Sequence, residues 1–389
     1  MRPQLAICIP TYGRAATLEA LLARLASEAP DVPVLVADNA SPDGTPDVLR
    51  RAERPGLGVH RQPSNLGPTA NIRWVLSNAP DAEYTWLFCD DDLPAPGAIA
   101  AIRALLSEHE PDWLHLPHRW VDEQGTVVNR SPCPAEAERH VGSGALYRAR
   151  GHWLTFASAS VLRRDALARA AREVATENAY APLVWFVEAA GRGSCVVAPF
   201  CAVDAGTEIT WADRMESVFT IDYPALFEEA LSRHVDAAEF AASLDELFGT
   251  WRPELWRSRE RDHVADVLAR FPRFRVIRRV AAERAARTQD APLLRQARAA
   301  VSDDDRAAAG ARRLAGEDAA GRGELEQACG LLDDAVTLDP VDAESWNDLG
   351  VVLHMLGQLD GSIDALQIAL GIAPERTDAR ENLAAILAA

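Results

Sequence analysis

The stretch LFCDDDLPAPG, residues 87–97, places three acids in succession, Asp90, Asp91 and Asp92. They follow an apolar, strand-like run, YTWLF, and precede a proline-broken loop. Adjacent carboxylates repel one another, so a cluster of this kind calls for a positive charge between them. A hard divalent cation takes carboxylate oxygens as ligands, which makes the triplet a candidate cation site. The alternative is an acidic surface turn.

Three more polar clusters each follow a short apolar run. They are PTYGR (10–14), VADNASPDGT (36–45) and SNLGPTAN (64–71). The runs alternate with segments whose apolar residues recur at helical spacing, such as AATLEALLARLASEA (15–29). This alternation predicts an α/β fold, in which helices cover both faces of a mostly parallel sheet. Because such sheets bind ligands at the carboxyl ends of their strands, the four clusters are predicted to meet at one edge.

The four clusters, in this order and at these spacings, resemble the family 2 glycosyltransferases with the GT-A fold. The resemblance covers roughly residues 4–210. It implies a Rossmann-like sheet that binds a nucleotide sugar, and an inverting transfer of the sugar to an acceptor.

The resemblance also implies a cofactor, Mn²⁺ or Mg²⁺. The diphosphate that leaves a nucleotide sugar carries negative charge, and a divalent cation bridging its oxygens offsets that charge. Read as a DxD motif, the triplet assigns Asp90 and Asp92 as metal ligands. Alignment on the family's proline, here Pro96, instead makes Asp91 the principal ligand.

Asp38 resembles the family aspartate that hydrogen-bonds the uracil edge, which implies a UDP-sugar donor. Its alternative role is to cap the turn that follows it. Asn71 can likewise cap a loop or a helix. The expected nucleotide-sugar-binding residues share a place in the four clusters, and they are Pro10, Thr11, Tyr12, Arg14, Asp38, Asn71 and Asp90.

The catalytic base is less clearly marked. It must take a proton from the acceptor, and many relatives carry a Glu-Asp pair for this, shortly before a helix-ending glycine. This chain has Glu177-Asn178, at a spacing two residues longer. The candidates are Glu177 and Asp204, followed by Glu188 and His152. A cysteine acceptor would need a weaker base or none, because a thiol is far more acidic than a hydroxyl.

The tail of the chain is periodic, and residues 309–342 align with 343–376. The 34-residue period and its pattern resemble tetratricopeptide repeats, and 377–389 begins a third unit that can serve as a capping helix. The matching positions are Gly316, Ala328, Ala335 and Pro340 in the first copy, and Trp346, Leu349, Gly350, Ala369 and Pro374 in the second.

We expect three regions: a GT-A domain over 1–213, a helical linker over 214–305 and a repeat domain over 306–389. Within the first region, residues 112–129 predict two strands joined by a glycine-containing turn. Residues 155–175, TFASASVLRRDALARAAREVA, predict helix.

Composition excludes several classes of protein. The net charge of −18 argues against a nucleic-acid partner. No stretch reaches the roughly 18 apolar residues of a membrane span, and the first apolar run is too short for a signal peptide. The six cysteines form no CxxC pair, so structural zinc is not expected. A cytoplasmic protein with reduced thiols is predicted.

The order of regions resembles the glycocin-class peptide glycosyltransferases, which modify cysteine or serine of a ribosomal peptide and dimerise through their repeats. That resemblance implies a peptide or protein acceptor and a homodimer. The motifs also resemble sugar transferases of O-antigen and capsule synthesis, which act on lipid-linked saccharides. A third alternative is a scaffold with binding repeats and an inactive GT-A domain.

Overall fold

The computed structural model describes residues 2–122, 124–206, 218–255 and 261–388. The chain divides into two compact units, Met1–Ser243 and Leu244–Ala389. The expected boundary at residue 213 falls outside the described residues. None of the described helices is long and apolar enough to cross a lipid bilayer.

The first unit is an α/β domain. Its strands are β1 Leu5–Thr11, β2 Val34–Asp38, β3 Leu57–Arg61, β4 Tyr84–Leu87, β5 Leu93–Pro94, β6 Trp113–His115, β7 His118–Val121, β8 Val127–Arg130, β9 Glu138–Val141, β10 Ser160–Arg163, β11 Ser194–Val197 and β12 Val203–Gly206. Its helices are α1 Ala15–Glu28, α2 Thr45–Arg51, α3 Pro68–Ser77, α4 Ala98–His109, α5 Ser143–Arg150, α6 Arg164–Glu173, α7 Ala181–Ala190 and α8 Tyr223–Glu229, and α9 Ala237–Leu255 crosses into the second unit.

Eight strands form the large sheet, in the order β3-β2-β1-β4-β10-β6-β11-β9. The first four are parallel to one another, as the strand–helix alternation predicts. Their register places Thr11 beside Asp38 and Asp38 beside Arg61. The carboxyl ends of β1, β2 and β3 therefore form one row at the edge of the sheet.

Helices cover both faces of the parallel part, and its central strands β1 and β2 are buried and apolar along most of their length. On one face, α1 buries four leucines at helical spacing, Leu18, Leu21, Leu22 and Leu25, in a common core with α4. On the other face, α3 packs on β1, β2 and α6. Each fully buried leucine stabilises the fold by about 1.5–3 kcal/mol, so this packing fixes the sheet edge firmly.

Two predictions for the middle of the first unit are wrong. Ser160–Arg163 is not helical but is strand β10, which lies between β4 and β6 and pairs antiparallel with both. Val161 and Leu162 are fully buried there, so packing in the sheet overrides the helical pattern of their neighbours. Residues 112–129 form three strands instead of two, because Pro117 separates β6 from β7.

A smaller sheet, in the order β5-β12-β7-β8, adjoins the acidic triplet. Strand β5 begins one residue after Asp92, and its antiparallel pairing sets Leu93 opposite Asp204 of β12. Strand β12 in turn runs parallel to β7, with Asp204 beside Arg119.

The second unit is helical. Its helices are α10 Arg261–Arg270, α11 Arg275–Thr288, α12 Ala291–Ala300, α13 Asp303–Gly321, α14 Leu325–Leu338, α15 Ala343–Met355, α16 Leu359–Ile372 and α17 Thr377–Ala388. A Cβ added at Gly316 would lie 2.8 Å from Cγ of Leu332, and one at Gly350 would lie 2.7 Å from Cγ of Leu366. These two close helix contacts are 34 residues apart at both partners, which confirms the repeat register.

Helix α11 precedes the repeats and packs on α14 and α16. The guanidinium of Arg279 lies 5.3 Å from the ring centroid of Trp346 and forms an ion pair with Asp333 at 2.8 Å. Ala286 is buried in the apolar cluster of the repeats. The repeat core therefore extends into the preceding helical region.

Candidate active site

Asp38 and Arg61 form a pair at the ends of β2 and β3. Asp38 is 1% exposed, and its Oδ2 pairs with the guanidinium of Arg61, whose side chain is 45% exposed. The backbone N–H of Ser41 donates to Oδ1 of Asp38 at 2.9 Å, and Arg61 donates to the carbonyl of Ser41 at 3.0 Å. Asp38 thus caps the turn as the alternative prediction stated. A carboxylate has about four lone-pair sites, so it retains acceptor capacity.

The loop after β1 carries Tyr12 and Arg14 and is held from both sides. Gly13 adopts a φ of 66°, a conformation that favours glycine, and its N–H donates to Oγ of Ser41 at 2.9 Å. The N–H of Ala15 donates to Oδ2 of Asp43 at 3.1 Å. Pro10 and Thr11 end strand β1 immediately before this loop, and the Tyr12 side chain is exposed.

Asn71 lies behind the strand ends. It is 2% exposed, its Nδ2 donates to the carbonyl of Ala37 at 2.8 Å, and its Oδ1 accepts from Gln62 at 3.2 Å. Its amide therefore braces β2 and the segment after β3. The structure does not bring it to the exposed side of the strand ends, where Tyr12 and Arg61 lie.

The three acids of the triplet have three different environments. Asp90 is buried, and burial raises its pKa to about 6. Asp91 is partly exposed, and its Oδ2 lies 2.9 Å from Nη1 of Arg14. Asp92 is buried, which raises its pKa, and its Oδ2 accepts a hydrogen bond from Oγ of Ser158 at 2.6 Å. The same hydroxyl accepts from the N–H of Cys89 at 2.8 Å.

The ligand atoms of Cys89, Asp91 and Asp92 lie within 4.8 Å of one another. Among the described residues, Asp90 is not part of this group. Burial raises the pKa of Cys89 well above its usual range, so the thiol stays protonated and is a poor ligand. Two converging carboxylates suit Mg²⁺ or Mn²⁺, which take oxygen ligands. The residues therefore fit a hard divalent cation at Asp91 and Asp92.

Of the candidate bases, the structure brings Asp204 next to the triplet. It lies opposite Leu93, and its carboxylate accepts from Nε of Arg119 at 2.6 Å and from Nη2 at 3.3 Å. This bidentate pairing engages both oxygens of the Asp204 carboxylate. Glu188 lies on α7, where its Oε1 is 2.8 Å from Arg233.

Glu177 is exposed in the loop between α6 and α7. The neighbouring Asn178 is buried, and its Nδ2 donates to the carbonyl of Asp222 at 2.8 Å and to Oε1 of Glu229 at 3.2 Å. The position that is acidic in many relatives is thus an amide that ties α8 to the loop. Glu177 itself is accessible to solvent.

The sequence analysis did not identify Ser158, which lies in a segment predicted as helix, or an aromatic cluster around the candidate base His152, whose members come from segments far apart in the sequence. The ring of His118 is buried and stacks on Phe156, with centroids 4.1 Å apart. Trp120 and Trp153 are half-buried, with centroids 5.8 Å apart, and His152 lies 4.8 Å from Trp153. Arg61 could have been found, since it ends a predicted strand at the same edge.

Comparisons with known proteins identify two parts of the chain. Residues 6–169 match the sequence profile of Glycosyl transferase family 2, and residues 331–364 match that of a tetratricopeptide repeat. A search of curated protein sequences finds no significant match. The chain therefore carries a family 2 glycosyltransferase domain and a tetratricopeptide repeat.

Similar solved structures show the same fold. The S. aureus TarS fragment 1–349 in complex with UDP-GlcNAc is 17% identical with a TM-score of 0.54, and the match covers 76% of this chain and 88% of that one. The same fragment crystallised separately gives 17% identity, a TM-score of 0.51 and coverages of 76% and 87%. The structure of a longer S. aureus TarS chain gives 16% identity and a TM-score of 0.52, and the match covers 77% of this chain and 55% of that one. These likenesses show the GT-A fold.

Proposed function

We propose that this protein transfers a hexose, with inversion, from a UDP-sugar to a cysteine or serine side chain of a peptide or protein. The observation that carries the proposal is the convergence of the Asp91 and Asp92 carboxylates at the edge where Thr11, Asp38 and Arg61 also lie. Sugar transfer follows from the family, whereas the donor, the acceptor and the stereochemistry are parts of the proposal.

Each residue has a role in this scheme. Asp91 and Asp92 would hold Mn²⁺ or Mg²⁺, which as a Lewis acid supplies charge neutralisation for the leaving diphosphate. Asp38 accepts from the uracil N–H, and Tyr12 lines the ribose. Asp204 or Glu177 takes the acceptor's proton, and a cysteine acceptor lessens that demand because its thiol ionises near neutral pH.

The repeats support a peptide or protein acceptor and a homodimer. Repeat surfaces of this kind bind extended partners or further copies of themselves. The exposed apolar side chains of the repeat helices include Leu314, Met355, Leu359 and Leu387. We therefore assign acceptor binding or dimerisation to this unit, and donor chemistry to the first unit.

The test is a transfer assay with purified protein, a panel of UDP-sugars and a peptide containing cysteine and serine. UDP-GlcNAc is the first donor to try, since the TarS fragment was solved with it. EDTA should abolish transfer and Mn²⁺ or Mg²⁺ should restore it. Asp91→Ala should lower turnover by at least about 100-fold, whereas the exposed Asp81→Ala should not. Full activity of Asp91→Ala in EDTA would refute the metal assignment.

A second candidate acceptor is a lipid-linked saccharide, favoured by one observation. Trp120 and Trp153 offer half-buried aromatic faces beside β12, and aromatic faces stack well on the apolar faces of sugar rings. The same assay with a saccharide acceptor separates the candidates. Transfer to saccharide that Trp120→Ala weakens, with no transfer to peptide, would replace the peptide proposal.

A further inference from the structure

Arg14 reaches from the loop after β1 to the acidic triplet. Its Nη1 lies 2.9 Å from Oδ2 of Asp91, and the two side chains are 20% and 32% exposed. The backbone on either side of Arg14 is fixed, because Gly13 donates to Ser41 and Ala15 donates to Asp43. The ion pair is therefore positioned by the fold and is not a chance meeting of two mobile surface side chains.

The pair occupies the carboxylate that a divalent cation would use. Asp92 has a hydroxyl partner in Ser158, whereas Asp91 has a positively charged partner in Arg14. Asp91 is also one of the two carboxylates whose oxygens converge. A cation at this place would stand within a few ångströms of the guanidinium, and like charges at that distance repel strongly in a partly buried site.

A nucleoside diphosphate changes this balance. Guanidinium groups pair with phosphate oxygens through two parallel hydrogen bonds, and such pairs are stronger than a single contact with a carboxylate. The diphosphate must lie beside the cation, and so within reach of a side chain that already touches Asp91. Arg14 can therefore pair with the phosphates instead of Asp91, and the Asp91 carboxylate is then available to the cation.

We infer that Arg14 competes with the divalent cation for Asp91, so that the cation binds tightly only when the nucleoside diphosphate is present. This inference rests on the proposed function. Arg14 acts as a positioning residue that couples the two ligands. Because such coupling is reciprocal, the cation must raise the affinity for the diphosphate by the same factor.

The experiment measures Mn²⁺ binding to the full chain by electron paramagnetic resonance of the free ion, with and without UDP. In the natural protein, UDP should raise the Mn²⁺ affinity by at least about tenfold. In Arg14→Gln, the affinity without UDP should rise by about tenfold and the effect of UDP should shrink. Arg14→Lys keeps the charge and should behave more like the natural protein.

Arg103→Gln is the matched control, since Arg103 pairs with Asp31 on the surface of the same unit and should leave Mn²⁺ binding unchanged. Thermal melting checks that each variant is folded. If Arg14→Gln binds Mn²⁺ without UDP no better than the natural protein, the inference is wrong. Failure of the proposed function looks different: Arg14→Gln would still bind Mn²⁺ more tightly than the natural protein, but UDP would change the Mn²⁺ affinity of neither.

Discussion

The carboxylate of Asp38 is engaged by Ser41 and Arg61, and it is also the group that should select the nucleobase. Asp38→Asn keeps an oxygen for the Ser41 N–H but removes the charge, so the fold should hold while the acceptor for uracil N3–H weakens. We expect UDP to bind the natural protein more tightly than ADP, and we expect the variant to lose about 1–3 kcal/mol of this preference. Isothermal titration calorimetry with UDP and with ADP measures this preference in the natural protein and in the variant.

Asp31→Asn is a suitable control for this prediction, because Asp31 is an exposed carboxylate on the same unit. It should leave the preference for UDP unchanged. GDP binding as tightly as UDP to the natural protein would contradict the assignment of Asp38. TDP is a closer competitor, since thymine presents nearly the same edge as uracil.

We expect Asp348 to make the stability of the second unit depend on pH. It lies on α15, and burial raises its pKa to about 6. An acid whose pKa is higher in the folded chain opposes folding once it is charged, so this penalty is full above about pH 6 and fades as the pH falls toward the unfolded pKa near 4. Asp348→Asn should therefore raise the free energy of unfolding at pH 7.5 by roughly 1–3 kcal/mol.

Thermal unfolding followed by circular dichroism at pH 7.5 and at about pH 4.5 tests the sign. The gain of Asp348→Asn should be less than half as large at the lower pH. Asp334→Asn, at an exposed position on α14, should give little change at either pH. A gain that grows as the pH falls would show that the Asp348 charge stabilises the fold.

At this scale the sequence predicted which residues meet at the edge of the parallel sheet, but not the surroundings of the candidate bases. Thr11, Asp38 and the triplet follow predicted strands, and strand ends meet by the geometry of a parallel sheet. Glu177 lies in a loop, and Asp204 lies in strand β12 of the smaller sheet. Their surroundings depend on α8 and on Arg119, which are far from them in sequence.

The strands and helices that follow strict periodicity were predictable, and those that depend on distant partners were not. Helix α1 and strands β1 to β4 appear where the apolar pattern places them. Strand β10 was missed because four residues between two helical segments carry too little pattern. It becomes a strand because β4 and β6 offer unpaired edges on both sides of it.

Helix contacts in the repeats predict opposite effects for two glycines. A Cβ at Gly350 would lie 2.7 Å from Cγ of Leu366 and 3.2 Å from the carbonyl oxygen of Ser362. Gly350→Ala should therefore separate α15 from α16 and lower the free energy of unfolding by roughly 1–3 kcal/mol. Differential scanning calorimetry of the full chain should show the loss in the transition of the second unit.

Gly330→Ala provides the matched control, because nothing lies within 4 Å of a Cβ placed there in helix α14. That change should stabilise the helix by roughly 0.5–1 kcal/mol, since alanine loses less conformational entropy than glycine. Equal effects of the two substitutions would show that close contact between α15 and α16 does not determine the role of Gly350.

The whole molecule combines two units. In the second unit, the apolar core of the repeats includes residues that precede the predicted repeat domain. The predicted repeat domain begins at residue 306, but α11 contributes Ala286 to the repeat core and Arg279 to the contact with Trp346. The 34-residue period identifies the repeats themselves. It cannot identify a helix that has no period and belongs to the same core only through packing.

Where the chain is cut should therefore decide how the shortened protein behaves. A chain ending at residue 305 keeps α11 but removes the helices that cover Ala286, so it should expose apolar surface and aggregate. A chain ending at residue 255 removes α11 as well and should stay soluble.

In that shorter chain, calorimetry should give an unchanged UDP affinity and donor hydrolysis should persist. Transfer to a long peptide should fall by at least about tenfold if the repeats bind the acceptor, and light scattering should report a smaller assembly if they dimerise. Peptide transfer and assembly mass that both survive this deletion would remove the repeats from either role and leave the saccharide acceptor as the better proposal.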